Sequence, residues 1–387
     1  MSDPHLYHRT DYASDMSKQL LHPSALQLQV RSGVFLSGIR RIGKTTFLRQ
    51  DLIPALEAMG ALVVYVDLWV DRSKSPATLV YEAVRATLAQ LASPGTGLLT
   101  RFKGLNVGAA GFTFGFQVDT VGKEGGVTLA QVFTELVDKV QTRVVLIVDE
   151  GQQSLGTEEG SNLLYALKAA RDAVNTRPGT PGYLLFLGTG SHKSFVTDMA
   201  TRRSQPFAGA VSTAYEPLGP EFVRWKCEQL QTIPGIKLPK ENVMWEGFLA
   251  LGQRPEELQN ALIQLQTRPE SPDMAFPIIC ATLASAAAEV ELATLDNLGA
   301  LAQVIFDRIA QGSEAGESRL FSAQALGCYA EQLGMAVDPP QVQNMMDRMI
   351  SANLIHRLSH GVYAVSDPFV RQVWRQRKAL EIPRPSI

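Results

Sequence analysis

The sequence is poor in cysteine, nearly balanced in charge and without a long uninterrupted apolar run. Its three cysteines, Cys227, Cys280 and Cys328, lie far apart and match no metal-binding spacing, so we expect a reduced, cytoplasmic protein. The net charge of −2 excludes binding to nucleic acid through overall charge and leaves such binding to a local patch. The first residues are polar and lack the apolar segment of a signal peptide, which argues against secretion.

The longest low-charge stretch, at 275–290, is rich in alanine and is interrupted by Pro277. We expect a buried helix there instead of a membrane span, and therefore no membrane partner. A hydrophobic content of 45% and a charged content of 19% are typical of a globular protein. A chain of 387 residues should divide into two or three units, and it shows no internal repeat or low-complexity tract.

A phosphate-binding loop is the most informative pattern in the chain. Residues 38–46 read GIRRIGKTT and match the pattern G-x-x-x-x-G-K-S/T. The apolar segment 34–36 suits a buried strand before the loop, and apolar residues at helical spacing follow it. Strand, glycine loop and helix in this order direct backbone N–H groups at one point, where an anion is stabilised. The predicted nucleotide-contacting residues are Gly38, Ile39, Arg40, Arg41, Ile42, Gly43, Lys44, Thr45 and Thr46.

Two carboxylates follow a second apolar strand about a hundred residues later. Residues 144–150 read VVLIVDE, and such a run suits a central parallel strand that is buried on both faces. Asp149 would hold Mg²⁺ together with the hydroxyl of Thr45, and Glu150 would polarise the attacking water. The alternative is an exposed strand end with two solvated acids. Because no N-K-x-D tetrad for guanine occurs in the chain, ATP is favoured over GTP.

A third strand, 183–187, ends in a polar turn that contains Thr189 and Ser191. A polar side chain at the tip of a strand next to the acidic strand can contact the γ-phosphate or the attacking water, and these two residues are the candidates. The alternative is a plain polar turn. Arg40 and Arg41 add two cations to the glycine loop, where they either help to hold phosphate or an adjacent acid, or face solvent.

The remaining pattern divides the chain into segments. The stretch from Gly111 to Val118 alternates with period two, as a hairpin strand would, inside a glycine-rich insertion. Helical periodicity dominates 219–313, and the last segment, about 318–377, reads as helix, helix, hairpin and helix. The predicted units are an N-terminal lead-in at 1–30, a nucleotide-binding core at 31–218 with a hairpin insertion at about 104–122, a helical lid at 219–313, a winged helix-turn-helix at 318–377 and a tail at 378–387.

With these features in this order, the chain resembles the AAA+ ATPases. It is most similar to the branch of archaeal-type ATPases, replication-initiator ATPases and STAND signalling ATPases, and it also resembles bacterial ATP-binding proteins of poorly defined role. The resemblance covers about 30–377 and is carried by GIRRIGKTTFLRQDLIPAL, ALVVYVDLW, VDEGQQSLGTEEGSNLLYALKAARDAVN and LGTGSHKSF. It implies an α/β fold: a P-loop parallel sheet with flanking helices, followed by a helical lid and a C-terminal winged helix.

The resemblance also implies roles for individual residues. Gly38, Gly43, Lys44 and Thr45 match Walker A, and Asp149 with Glu150 matches Walker B. Thr189 or Ser191 would be sensor 1, and Arg254 in the lid resembles the sensor 2 position. Arg202 and Arg203 lie where this superfamily places an arginine finger for a neighbouring subunit, although a solvated surface is the alternative reading. The glycine-rich insertion would line a DNA or partner channel, or pack on the surface.

The implied activity is Mg²⁺-dependent hydrolysis of ATP to ADP and phosphate. We expect a homo-oligomer when ATP is bound, acting as a DNA-associated motor or loader that grips double-stranded DNA through its winged helix. The alternative is a STAND-like signalling switch whose winged helix contacts protein, with an unknown protein partner. The second helix of this unit carries methionines that suit protein packing, and the candidate DNA contacts are Gln341, Gln343, Asn344, Arg348, His356, Arg357, His360, Arg371, Arg375, Arg377 and Lys378.

Overall fold

The computed structural model describes residues 5–71, 73–93, 112–151, 157–190, 205–313, 316–359 and 361–381. Its centre is a parallel sheet of five strands in the order β2-β3-β4-β1-β5. Every residue of β1, β3 and β4 is buried, which explains why these segments are almost continuously apolar. The strands are β1 (Val34–Ser37), β2 (Leu62–Asp67), β3 (Val144–Asp149), β4 (Leu184–Gly190) and β5 (Val211–Ala214).

Helices cover both faces of this sheet. They are α1 (Thr10–Leu21), α2 (Lys44–Phe47), a π-helical turn (Leu48–Leu52) that leads into α3 (Ile53–Ala58), α4 (Pro76–Ala92), α5 (Leu129–Val140) and α6 (Glu158–Asn175). Side chains alternate between the faces along each strand. Leu36 and Val145 pack with α1, α2 and α3 on one face, whereas Phe35 and Leu146 pack with α4, α5 and α6 on the other. The predicted P-loop sheet with flanking helices is therefore confirmed.

The prediction of a hairpin strand in the insertion is wrong for the residues that the structure describes. Residues 112–122 contain no strand, and their one regular element is a short 3-10 turn, Val118–Thr120. Phe112, Phe114 and Phe116 pack against the core of the sheet domain. The period of two in the sequence therefore marks side chains that contact this core, and not a strand. The backbone bonds reach other elements instead of a partner strand: the Phe112 N–H donates to the carbonyl of Leu91 at 2.9 Å. Residues 104–111 lie outside the described ranges.

A helical lid and a C-terminal unit follow the sheet. The segment predicted as a lid contains α7 (Pro220–Gln231), α8 (Glu241–Ala250), α9 (Pro255–Gln266), α10 (Pro272–Leu298) and α11 (Ala300–Gln311). Helix α11 packs in the core of the C-terminal unit and not in the lid core. The C-terminal unit contains α12 (Ala323–Leu333), α13 (Pro339–Ser351), the antiparallel strands β6 (Ile355–Ser359) and β7 (Val362–Val365), and α14 (Pro368–Glu381). These elements occur in the order helix, helix, hairpin and helix that the sequence predicts.

Helix α10 is less buried than expected. Its first half contributes Phe276 and Ile279 to the lid core, and its second half contributes Leu292 and Leu295 to the core of the C-terminal unit. The opposite face is exposed, and 28% of the most apolar 18-residue stretch of the helix is buried. Among the described residues, α10 is the one helix that is long and apolar enough to cross a membrane by length and composition, a test that core helices also pass. The helix predicted at 275–290 is therefore present, and it is buried on one face alone.

Candidate functional site

The glycine loop connects β1 to α2 at the carboxyl end of the sheet. Gly43 has a φ of 91°, a left-handed conformation that favours glycine, and it immediately precedes the first residue of α2. Gly38 is closely packed, because an added Cβ would lie 2.9 Å from Cδ1 of Ile42 and 3.2 Å from Cβ of Tyr215. The two glycines of the pattern therefore serve different purposes: Gly43 allows the backbone conformation, and Gly38 allows close packing.

Lys44 folds its amine back over this loop. Nζ donates hydrogen bonds to the carbonyl oxygens of Gly38 at 2.6 Å and Ile39 at 2.8 Å, and the residue is only 5% exposed. Burial lowers the pKa of Lys44, while the nearby carboxylates of Glu150 and Asp149 act in the opposite direction. A buried cation at the loop is suited to an anionic partner.

Asp149 accepts hydrogen bonds from three hydroxyl groups, which come from α2, β2 and β4. It is fully buried, and its Oδ2 accepts hydrogen bonds from Thr45 Oγ1 at 2.7 Å and from the Tyr65 hydroxyl at 3.1 Å. The buried hydroxyl of Thr189 donates to Oδ1. Burial, then the charge of Asp149, raises the pKa of Tyr65, so the phenol stays a donor. The sequence predicted Asp149 and Thr45 as partners, and no pattern pointed to Tyr65.

Glu150 leaves the strand in a strained conformation. Its φ of 58° is left-handed, which is uncommon for a residue other than glycine. Its N–H lies 3.1 Å from Asp149 Oδ1 and 3.3 Å from Thr189 Oγ1, and these two acceptors stabilise the turn. The turn makes Glu150 part of the wall of the cavity around Lys44. Backbone strain of this kind clusters at functional sites.

Residues of the loop line three cavities, and two of these share part of their lining. The first, of about 300 Å³, is lined by Arg41, Gly43, Lys44, Thr45, Thr46, Glu150, Pro255 and Glu256. The second, of about 280 Å³, shares Gly43, Thr46, Pro255 and Glu256 with the first. Together they have the size of a small-molecule site. The polar first cavity suits phosphates, and the second offers room for the rest of a nucleotide.

Aromatic side chains form the walls of the second cavity. Tyr7 from the N-terminal segment has its ring centroid 5.4 Å from those of Phe222 and Trp225, both on α7. Aromatic faces of this kind stack on nucleobases. The sequence presented 1–30 as a polar lead-in, so the contribution of Tyr7 was missed. A single tyrosine without periodicity gave no signal that could have revealed it.

The arginines predicted to contact phosphate differ in their partners. Arg41 lies 3.5 Å from Glu257 of the lid, and the Arg40 guanidinium lies 5.1 Å from the Trp69 ring centroid. Arg254, the sensor 2 candidate, is paired with Asp367 of the C-terminal unit and is not among the residues that line the phosphate cavity. Ser191, Arg202 and Arg203 lie outside the described residues.

Two of the candidate DNA contacts, Arg371 and Arg375, make hydrogen bonds within the protein. Arg371 and Arg375 both donate to the carbonyl oxygens of Ala310 and Gly312, at the C-terminal end of α11. A helix C-terminus carries orphan carbonyls and partial negative charge, which guanidinium groups satisfy. His356, another candidate contact, is 8% exposed. Arg371 is half-buried and Arg375 is exposed, so a contact of either with DNA stays a prediction. His360 lies outside the described residues.

Comparison with known proteins gives similarity in structure only. No protein-family model and no curated protein sequence matches the chain. The Walker-type ATPase of Pyrococcus abyssi is 19% identical, with a TM-score of 0.60 and 97% of each chain covered. The ORC2 protein of Aeropyrum pernix in its ADP form is 12% identical, with a TM-score of 0.53, covering 98% of this chain and 97% of that one. These similarities span the whole chain and confirm the expected AAA+ type of fold.

Proposed function

We propose that this chain, which has the fold of the AAA+ ATPases, binds ATP with Mg²⁺ and hydrolyses it to ADP and phosphate. The observation that supports this most strongly is the Asp149 carboxylate, which accepts the hydroxyls of Thr45 and Thr189 beside the buried amine of Lys44. A second support is the structural similarity to an ORC2 protein solved in ADPNP and ADP complexes, which shares 14% identity over 98% of this chain at a TM-score of 0.50.

The donor set fits a magnesium ion. Thr45 and Asp149 offer the hard hydroxyl and carboxylate oxygens that Mg²⁺ prefers, with phosphate and water oxygens completing its shell. The described residues contain no cluster of three or more His, Cys, Asp or Glu side chains that would hold a metal without the nucleotide. When bound, the ion would neutralise the negative charge that develops on the phosphates.

The protein's own groups divide the remaining work. Lys44 holds the β- and γ-phosphates, and Glu150 takes a proton from the attacking water. Thr189 orients that water, with Ser191 as the second candidate for this role. Arg202 and Arg203 are the proposed arginine fingers, offered to a neighbouring subunit. The proposed setting is the cytoplasm, in keeping with the three free cysteines.

Phosphate release with Mg²⁺ or with EDTA tests this proposal. We expect release to require Mg²⁺, Lys44→Ala to abolish ATP binding, and Glu150→Gln to bind ATP but turn it over at least ~100-fold more slowly. Micromolar ATP binding by Lys44→Ala would overturn the assignment of the loop. Wild-type turnover by Glu150→Gln would place the general base elsewhere.

For the wider role, we propose an ATP-assembled oligomer that associates with duplex DNA. The support is helix α13, which exposes Gln341, Gln343, Asn344 and Arg348, side chains able to contact base edges. The methionines of this helix, Met345, Met346 and Met349, are buried in the protein's own core and are not available as a docking surface. The proposed DNA surface is therefore the polar face of α13.

A nucleotide-dependent switch is the second candidate, and one contact favours it. The ion pair between Arg254 and Asp367 joins the lid to the C-terminal unit, with side chains that are 12% and 9% exposed. Asp367 thus occupies the guanidinium that a phosphate would otherwise attract. In this reading ATP competes with Asp367 for Arg254, and the C-terminal unit responds to the nucleotide without touching DNA.

Size-exclusion chromatography with light scattering separates the two roles. The Glu150→Gln protein would be run with ADP or ATP–Mg²⁺, each with and without a short duplex. Growth with ATP into a species that co-elutes with DNA, and that loses DNA steeply as salt rises, supports the motor or loader. If the ATP-bound protein does not co-elute with DNA, that role is refuted and the switch is supported.

A further inference from the structure

Asp51 is a buried carboxylate that the proposed chemistry does not use. It lies in the π-helical turn Leu48–Leu52, directly after α2, and is 7% exposed. Its Oδ1 lies 2.7 Å from Nδ1 of His8, and its Oδ2 accepts the backbone N–H of Arg9 at 3.1 Å. The carboxylate therefore ties the N-terminal segment to the helical run that begins at the glycine loop. Single π turns inside helices are rare and frequently mark functional sites.

Arg9 fixes the same segment from its other side. Its guanidinium donates to the carbonyl oxygen of Glu216 at 2.5 Å, just after β5. It also lies over the rings of Tyr12 and Tyr215, at 4.3 Å and 5.1 Å from their centroids. Residues 5–9 are thus held between the helix of the glycine loop and the edge of the sheet.

This segment forms one wall of the second cavity. His5, Leu6, Tyr7 and Arg9 line it together with Phe222 and Trp225 of the lid, and the Tyr7 ring packs directly on these two rings. Asp51 lines the same cavity. Because Gly43 and Thr46 line both cavities, a nucleotide with its phosphates at Lys44 would place its nucleoside here. The position of the wall depends on the contacts of Asp51.

We propose that Asp51 is a positioning residue for the nucleoside part of the substrate. It holds residues 5–9 in place, so that Tyr7, packed on Phe222 and Trp225, presents an aromatic wall to the base of a purine nucleoside triphosphate. The proposal rests on the nucleotide binding proposed above. The affinity for the nucleoside then depends on Asp51, and the affinity for the phosphates does not.

Calorimetric titration with ATP and with inorganic tripolyphosphate, both with Mg²⁺, tests this separation. Asp51→Ala should weaken ATP binding about 10-fold, the scale of one lost base stack, and leave tripolyphosphate binding unchanged. Its kcat at saturating ATP should also be unchanged, while KM rises. Asp11→Ala is the matched control: Asp11 is an exposed carboxylate in the first turn of α1, and its loss should change none of these quantities.

The possible outcomes separate this proposal from the one on which it rests. Equal weakening of ATP and tripolyphosphate would assign Asp51 to the phosphate loop and overturn its proposed role, and so would unchanged ATP affinity. Wild-type protein that binds neither ligand would overturn the proposed function itself.

His8 offers a second variant if Asp51→Ala does not fold. Its side chain is 27% exposed, so His8→Ala is tolerated more easily, and the Arg9 N–H contact to Asp51 remains. We expect a smaller weakening of ATP binding with tripolyphosphate again unaffected, and no change for the exposed His22→Ala. ATP affinity equal to that of the wild type in folded His8→Ala would overturn the proposal.

Discussion

Replacing Asp367 tests whether charge holds the lid arginine. Asp367 has two contacts: its Oδ2 pairs with Arg254, and its Oδ1 accepts the backbone N–H of Phe369 at 2.9 Å in the first turn of α14. Asp367→Ala removes both contacts. Asp367→Asn removes the charge but keeps an oxygen that can accept the Phe369 N–H, so the two variants separate the ion pair from the helix cap.

The expected magnitude follows from burial. The two paired side chains are 12% and 9% exposed, so water screens their charges only slightly. Removing one partner of a buried pair costs about 3–5 kcal/mol, and removing an N-cap acceptor costs about 1 kcal/mol. We expect the free energy of unfolding to fall by about 3 kcal/mol for Asp367→Asn and by about 4 kcal/mol for Asp367→Ala.

A matched control isolates the cap. Asp338 is an exposed N-cap of α13 that accepts the Gln341 N–H at 2.8 Å, and Asp338→Ala should cost about 1 kcal/mol. Urea unfolding followed by circular dichroism measures the free energies, and ATP titration measures the effect on the site. Freeing Arg254 should tighten ATP binding about 10-fold, the size of one charge-assisted hydrogen bond. If Asp367→Asn is as stable as the wild type and binds ATP with the same affinity, the ion pair does not hold Arg254 away from the phosphates.

Three further predictions concern Lys44 and the hydroxyl groups around Asp149. Tyr65→Phe removes a hydroxyl donor to Asp149 and should lower the free energy of unfolding by about 1 kcal/mol in urea titrations; an unchanged value would show that this hydrogen bond contributes nothing. Thr189→Val should lower kcat for ATP, whereas Thr189→Ser keeps the hydroxyl and the rate; equal kcat in both variants would remove Thr189 from hydrolysis. Burial lowers the pKa of Lys44 below its usual 10.5, and phosphate binding needs the charged amine. ATP affinity should therefore fall as pH rises through the lowered pKa, and titrations that stay constant up to pH 10.5 would contradict this.

The parts of the fold that the sequence predicted are those that local patterns determine. The buried strands β1, β3 and β4 begin as apolar runs and end in polar or small residues. Their carboxyl ends meet at one edge of the sheet, so Thr45, Asp149 and Thr189 come together. Strand β5 was missed because the segment Val211–Ala214 is short, lies at the edge and is mostly exposed, so it shows no apolar run or alternation.

The parts that the sequence did not predict depend on distant partners. Arg254 was expected at the phosphates, but its partner Asp367 lies 113 residues away, and no periodicity connects the two. Tyr65 and Asp149 are likewise joined only because β2 pairs with β3 in parallel. The alternating aromatics of the insertion show a different limit, since a period of two indicates which side chains share a face and not whether the backbone forms a ladder.

Helix α10 gives the molecule a mechanical property. Its 27 residues span about 40 Å, with one half built into the lid core and the other into the core of the C-terminal unit. We infer that a helix built into two cores would act as a lever, since a rotation of one half would carry the other with it. A tilt of the lid by about 10° around the nucleotide would move the far end of a lever of this length by about 7 Å. A small adjustment at the phosphates would thus become a displacement of the C-terminal unit while both cores keep their packing.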